Sequence, residues 1–393
     1  MRAPKELSYR TKVITLSGIR RLFDLAQRSS GVINFGLGEP DFDTPPHIRE
    51  AGKRALDMGY THYSPNAGYP ELREVIAEKL RSENGIPASA ENVMVTIGAS
   101  AGLLLSTLIL VNPGDEVLIP DPGFVIYEAV VRMAGGKPVR VPLKEEDDFR
   151  MLPEVVNELV TPKTKCIFLN TPHNPTGSVL EYSDVKGIAE IAMDNGIYVI
   201  SDEVYEKLVY DGAKHYSIAS IPGMEDLAIT VNAFSKTFAM CGWRIGYVAA
   251  KRELIDEMVK LQQFTVVHAP SMAQIAALEG LKSPETKKFI EEMVEEYDRR
   301  RRVMVEGLNK IWGFKVKPPK GSFYVFANVK EIGRTSTDLA ELILTEAGVV
   351  TVPGSAFGPS GEGYLRFCYT VPIDTIRLGL KRIEGVAEKL KAS

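Results

Sequence analysis

The chain has 393 residues, 45% hydrophobic and 25% charged, an ordinary globular composition with room for roughly two or three folding units and a large core. Its 47 Lys and Arg against 51 Asp and Glu give a net charge of -4, which excludes a sequence-independent attraction to nucleic acid or anionic membrane. No run approaches the ~18 uninterrupted apolar residues of a membrane span, and the opening Met1-Arg2-Ala3-Pro4 lacks the apolar segment of a secretion signal, so a cytoplasmic protein is expected.

In chain order, the segment 1–44 carries helical spacing at 18–27 and the loop Gly36-Leu37-Gly38-Glu39-Pro40. From Asn92 to Ala250 short apolar runs alternate with helical patterns, the signature of an α/β unit with a mostly parallel central sheet and helices on both faces. Strands are expected at 93–96, 116–119, 138–141, 166–170, 198–201, 229–232 and 246–249, and helices at 101–111, 125–134, 152–159, 182–195 and 254–263.

The charged stretch 282–309 has helical spacing and reads as a largely solvated face, linking a large unit, 45–281, to a smaller α+β unit, 282–393. In the smaller unit, strands are expected at 323–326, 349–353 and 364–369 and helices at 338–347 and 373–390. The segment 1–44 is expected to pack on it.

Cys166, Cys241 and Cys368 are far apart and have no CxxC spacing, so reduced thiols are expected, with neither disulfides nor zinc. The five histidines form no HExxH pair, so no metal is expected, although His173 could line a pocket. Glutamine is sparse beside Glu, Lys and Arg, a bias that fits a thermostable protein.

In open α/β sheets ligands gather at the carboxyl ends of strands, so the residues just after each strand carry the search for chemistry. Lys236 follows the 229–232 strand. Any one lysine is most often a solvated charge, but Phe234, Phe238, Met240 and Trp243 are too apolar for an exposed loop. Desolvation there favours the neutral, nucleophilic amine.

Asp202 ends the 198–201 strand, either as a helix cap or as a carboxylate able to pair with a pyridinium nitrogen. Asn174 sits between Pro172 and Pro175, as a plain turn or as a rigidly held amide donor, and Asn174-Pro175 is a cis-peptide candidate. Gly98-Ala99-Ser100 opens a helix with small residues whose N–H groups could approach a phosphate, with Arg244 as the compensating charge. Together these point to pyridoxal phosphate.

The ordered set Asn174-Pro175-Thr176-Gly177, Ser201-Asp202-Glu203-Val204-Tyr205, Ser235-Lys236-Thr237-Phe238 and Gly242-Trp243-Arg244-Ile245-Gly246-Tyr247 resembles the class I and II aminotransferases of pyridoxal-phosphate fold type I. The likeness runs from Gly38-Glu39-Pro40 to Arg366 and is nearest the archaeal aromatic and aspartate-type branch. It implies that Lys236 condenses with the cofactor aldehyde, that Asp202 pairs with the ring nitrogen and that Tyr205 and Asn174 bond the ring oxygen. Gly98, Ala99, Ser100, Ser235 and Arg244 would surround the phosphate, and Phe124 would stack on the ring.

By the same resemblance Arg366 and Gly38 would hold the substrate α-carboxylate, and Asn174 would also contact the substrate. Tyr63 would reach the phosphate of a neighbouring subunit, which implies a homodimer with shared active sites. Two departures stand out. Ala233 occupies a position where many relatives carry a serine, and no cation maps onto the family's gripper of a distal carboxylate, with Arg20 and the loop 262–271 as candidates.

The activity so implied is a ping-pong transamination from an aromatic or other L-amino acid, aspartate included, to a 2-oxo acid such as 2-oxoglutarate. A lyase or decarboxylase on the same scaffold is the competing reading. A non-catalytic cofactor-binding regulator is a third, and a dinucleotide enzyme is disfavoured because no GxGxxG follows the first strand.

Overall fold

The computed structural model describes residues 5–14 and 31–392, so the expected helix at 18–27 and Arg20 lie outside the described residues. Its centre is a seven-stranded sheet of β2 (Val93–Thr96), β3 (Glu116–Asp121), β4 (Lys137–Pro142), β5 (Thr164–Asn170), β6 (Tyr198–Asp202), β7 (Ala228–Ala233) and β8 (Gly246–Ala249), preceded in the chain by the short β1 (Ile33–Asn34). The spatial order is β2-β8-β7-β6-β5-β3-β4. β3 to β7 run parallel, whereas β8 pairs antiparallel with both β7 and β2.

Both faces of this sheet are covered, which is why its strands read as unbroken apolar runs rather than alternating ones. Ile167 and Leu169 of β5 enter one core while Cys166 and Phe168 enter the other, as the two-residue period requires. The reversal at Asn112-Pro113-Gly114-Asp115 is fixed by Asp115, whose carboxylate accepts from the Asn112 amide at 2.8 Å, and by Gly114 at φ 93.

A three-stranded sheet in the order β11 (Val352–Pro353), β12 (Tyr364–Cys368), β9 (Tyr324–Asn328) lies in the C-terminal part, with helices Ser336–Ala347 and Ile373–Ala392. β1 pairs in parallel with β10 (Val349–Val350), and the Cys368 amide donates to the Phe35 carbonyl at 2.7 Å. Residues 5–14 go elsewhere: Arg10 donates to the Met133 carbonyl at the end of helix Ile126–Ala134. That helix belongs to the large sheet.

The 25-residue helix Pro284–Leu308 starts on a Ser283 cap and carries solvated i,i+4 pairs such as Lys288–Glu292. Two of its arginines depart from the expected solvated face. Arg300 and Arg301 are buried, Arg300 bound by Asp41 at 2.8 and 2.9 Å and Arg301 by Asp211 and Asp298, with the Arg301 guanidinium 4.9 Å from the Tyr210 ring. Asp41 and Asp211, distant in the chain, add to the helix's own Glu296 and Asp298 in neutralising them, which periodicity alone does not reveal. Helices Pro46–Asp57, Pro70–Asn84 and Ser271–Lys282 also went unread in the sequence; the first two begin on a proline, which suits a first helical turn.

Candidate active site

β5, β6 and β7 are neighbours in the middle of the sheet, and their register sets Asn170 beside Asp202 and Asp202 beside Val231. Their carboxyl ends therefore open together into a cavity of about 490 Å³. Lys236, in the short helix Phe234–Thr237 just past β7, reaches it, as do Asp202 at the end of β6 and Asn174 beyond β5. Tyr324, Phe357 and Arg366 supply wall from the C-terminal part, and the loop carrying Gly36 and Gly38 supplies the rest.

One end is built for an anion. Helix Gly98–Leu110 opens there, and Gly98 has φ +67 with space so tight that a Cβ would lie 2.7 Å from Arg244 Nη2. The guanidinium thus rests on the helix N-terminus, where free N–H groups and the helix dipole already favour negative charge. Arg244 is itself left-handed, φ 55, and is pinned by a 2.9 Å bond from Nη1 to the Cys241 carbonyl. Ala99, Ser100 and the buried Ser235 line the same cavity, with Ala233.

A second anion-binding group lies in the C-terminal wall. Arg366 on β12 is buried, donating from Nη1 to Asn174 Oδ1 at 3.0 Å and from Nη2 to the Gly36 carbonyl at 2.7 Å. Its plane is held against the rings of Tyr324 and Phe357, whose centroids are 4.3 and 4.9 Å away. Its buried Nε has no partner, an orphan donor of the kind that a carboxylate would satisfy. Asn174 uses its oxygen on Arg366, which leaves its amide nitrogen as a donor for a ligand, and its bond to Pro175 is cis.

Lys236 Nζ donates to the Gly38 carbonyl at 2.7 Å and lies 3.8 Å from Cys241 Sγ and 5.7 Å from the centre of the Phe323 ring. Burial pushes the Asp202 carboxyl up to about 6, against the pull of the Tyr127 hydroxyl, which donates to Oδ2 at 2.9 Å, and of the Val204 amide. Tyr127 is stacked on Phe168 with centroids 5.0 Å apart and meets Phe124 edge-on at 5.8 Å. Tyr205 is buried with its hydroxyl 2.9 Å from that of Tyr324.

Within the described residues, then, Gly38, Ala99, Ser100, Phe124, Asn174, Asp202, Tyr205, Ser235, Lys236, Arg244 and Arg366 converge on one cavity, and Gly98 packs behind Arg244 without lining it. Tyr63 does not: it is 85% exposed, with its ring 5.5 Å from His268. His173 is buried behind the wall, bonded through Nδ1 to Thr176 at 2.7 Å, and burial drives its imidazole down to about 3. Tyr127 and Tyr324 were missed in the sequence; an aromatic one residue into a helix and another in a strand both read as core.

One group of described side chains, Glu203, Glu206 and His215, brings ligand-type atoms within 4.8 Å of one another. Those atoms are already engaged. Ser201 and Ser217 donate to Glu203 Oε1 at 2.8 and 2.7 Å, His215 Nε2 is 3.0 Å from Oε2, and Lys79 and Asn84 donate to Glu206. The Lys79 ammonium already neutralises Glu206.

A cavity with one amine, two arginines at distinct anion-binding places and a buried carboxylate at a strand end defines a group-transfer enzyme of the α/β class. The chain belongs to the aminotransferase class I and II family, whose description matches residues 30–383, and it transfers amino groups. It is 48% identical to an aspartate aminotransferase of Pyrococcus abyssi over 98% of this chain and 99% of that protein. It is 46% identical to aromatic-amino-acid aminotransferase 2 of Thermococcus litoralis, again over 98% and 99%. The crystal structure of the aromatic aminotransferase from Pyrococcus horikoshii superposes with a TM-score of 0.91 at 47% identity, covering 95% of this chain and all of that one.

Proposed function

We propose that the cavity holds pyridoxal 5'-phosphate and that the enzyme works by a ping-pong exchange, from an L-amino acid to the cofactor and from the cofactor to a 2-oxo acid. The observation that carries this reading is the coexistence in one cavity of the Lys236 amine, the glycine-and-arginine cradle at Gly98 and Arg244, and the orphan donor of Arg366. When bound, the cofactor supplies an aldehyde and an electron-withdrawing ring.

The chain's own groups do the rest. Lys236 Nζ is the amine that meets the aldehyde and, once displaced by substrate, takes up and gives back the proton of the substrate α-carbon. Asp202 faces the ring nitrogen. Burial raises this carboxyl from 3.8 to about 6, still below neutral pH, so it is mostly ionised there. A positive charge on that nitrogen would favour the ionised carboxylate further, and the carboxylate would in turn keep the nitrogen protonated.

Tyr205 and Asn174 donate to the ring oxygen, Gly98, Ala99, Ser100, Ser235 and Arg244 hold the phosphate, and Phe124 stacks on the ring. Arg366 and the Gly38 amide take the substrate α-carboxylate. Among the described residues lining this cavity, Lys236, Arg244 and Arg366 are the cations, and all three are thereby used. Leu37 and Phe357 offer apolar surface to a side chain.

This favours aromatic and other apolar L-amino acids as donors over aspartate. The acceptor is a 2-oxo acid such as 2-oxoglutarate. The exposed apolar surface of Tyr63, Phe264, Val266 and Val267 supports a homodimer in which Tyr63 completes the neighbouring site. Free thiols at Cys166, Cys241 and Cys368 fit a cytoplasmic enzyme.

The test is single-turnover loss of the cofactor's absorbance with a panel of amino acids. Phenylalanine and tyrosine should exceed aspartate in kcat/KM by roughly tenfold or more, about 1.4 kcal/mol of transition-state discrimination. A preference for aspartate of that size would reverse the substrate assignment. Release of pyruvate and ammonia instead of a 2-oxo acid with an amine-form cofactor would indicate a lyase.

A further inference from the structure

Tyr324, on β9, is buried and touches three parts of the cavity at once. Its hydroxyl is 2.9 Å from that of Tyr205. Its ring lies 4.3 Å from the Arg366 guanidinium. The same hydroxyl packs against Gly38, where an added Cβ would come within 2.2 Å of it, and the Gly38 carbonyl is the acceptor for Lys236 at 2.7 Å.

These contacts divide between two functions of one side chain. The ring, with Phe357 on Arg366 as well, fixes the plane in which the guanidinium can present its two prongs to a carboxylate. The hydroxyl fixes the rotor of Tyr205, which otherwise has freedom about its C–O bond. If Tyr324 donates to the Tyr205 oxygen, the Tyr205 proton is left to point into the cavity, and the two hydrogen bonds in series reinforce each other.

We propose that Tyr324 is a positioning residue that couples the cofactor end of the site to the carboxylate end, its hydroxyl aiming Tyr205 at the cofactor's ring oxygen and its ring orienting Arg366. The inference rests on the reading of this cavity as a pyridoxal phosphate site. It separates into two claims because phenylalanine keeps the ring and removes only the hydroxyl.

The experiment compares Tyr324→Phe and Tyr324→Leu with the wild-type enzyme loaded with pyridoxal phosphate. Its first readout, independent of turnover, is the pH midpoint of the bound cofactor's absorbance. A donor to the ring oxygen stabilises the charged oxygen and thereby eases loss of the neighbouring proton, so weakening it should raise the midpoint. In Tyr324→Phe a rise on the order of half a pH unit is expected, with KM for the amino donor within about threefold of wild type. In Tyr324→Leu, KM should also rise, by roughly tenfold or more, as Arg366 loses its support.

An unmoved midpoint in Tyr324→Phe overturns the hydroxyl claim, and that variant decides it even should Tyr324→Leu not fold. A Tyr324→Leu enzyme with wild-type KM overturns the ring claim, as does a Tyr324→Phe enzyme whose KM rises as far as that of Tyr324→Leu. Failure of the wild-type chain to take up pyridoxal phosphate at all would instead remove the cofactor reading on which both stand.

Discussion

The Tyr127 hydroxyl donates to Asp202 Oδ2 across 2.9 Å, and both side chains are buried. It is a side-chain donor that steadies this carboxylate while burial works to protonate it. Tyr127→Phe should therefore push the Asp202 carboxyl further up and weaken pyridoxal phosphate binding by roughly tenfold, the order expected for a hydrogen bond to a charged group. A fluorescence titration of the cofactor checks this, and an unaltered Kd would count against the role given to Tyr127.

The same carboxyl makes a stability prediction. Because its pKa is raised from 3.8 to about 6, its contribution to folding is fully present below pH 3.8 and is lost as pH rises through about 6. Asp202→Asn should stabilise the cofactor-free protein at pH 7 by about 1 to 3 kcal/mol while abolishing tight cofactor binding. Denaturant melts at pH 4 and pH 7 read it: the gain should appear at pH 7 and shrink at pH 4.

Behind the cavity the sign is opposite. Burial would raise the Glu206 carboxyl, but Lys79, Lys207, His215 and Asn84 outweigh it and bring it down to about 2. That stability is present above the ordinary 4.5 and is lost as pH falls toward 2. Lys79→Met removes the direct ion-pair partner of this buried carboxylate and leaves Asn84 as its hydrogen-bond donor, so a loss of about 3 kcal/mol is expected at pH 7. The deficit relative to wild type should narrow in acid, where Glu206 is protonated in the variant, and equal deficits at pH 7 and pH 4 would contradict the assignment.

At the other anion-binding place, Gly98→Ala asks a left-handed residue to carry a Cβ within 2.7 Å of Arg244 Nη2. The guanidinium must swing away from the helix N-terminus, and pyridoxal phosphate affinity should fall by roughly tenfold or more. Affinity for pyridoxal without its phosphate should be little changed. Equal losses for both forms would show that the strain spreads through the site rather than acting on the phosphate.

Much of this is legible in the sequence. The sheet strands were readable because a parallel sheet buried on both faces demands short runs such as Cys166-Ile167-Phe168-Leu169, and Asp202 and Lys236 stood at strand ends where ligands collect. The Tyr205–Tyr324 contact was not readable, since it joins residues 119 apart whose sequence surroundings show only buried aromatics. Arg300 and Arg301 misled for a related reason, as a run of charges looks solvated until Asp41 and Asp211 arrive from elsewhere in the chain. Tyr63 entered by resemblance alone, and it stands exposed and away from the cavity of its own chain.

The most direct test of the account is to load the purified protein with pyridoxal phosphate, reduce it with borohydride and map the labelled peptide by mass spectrometry. The account predicts a single pyridoxyl group on Lys236, absent from Lys236→Ala. A label on another lysine, or none in a protein that remains an active aminotransferase, would contradict it.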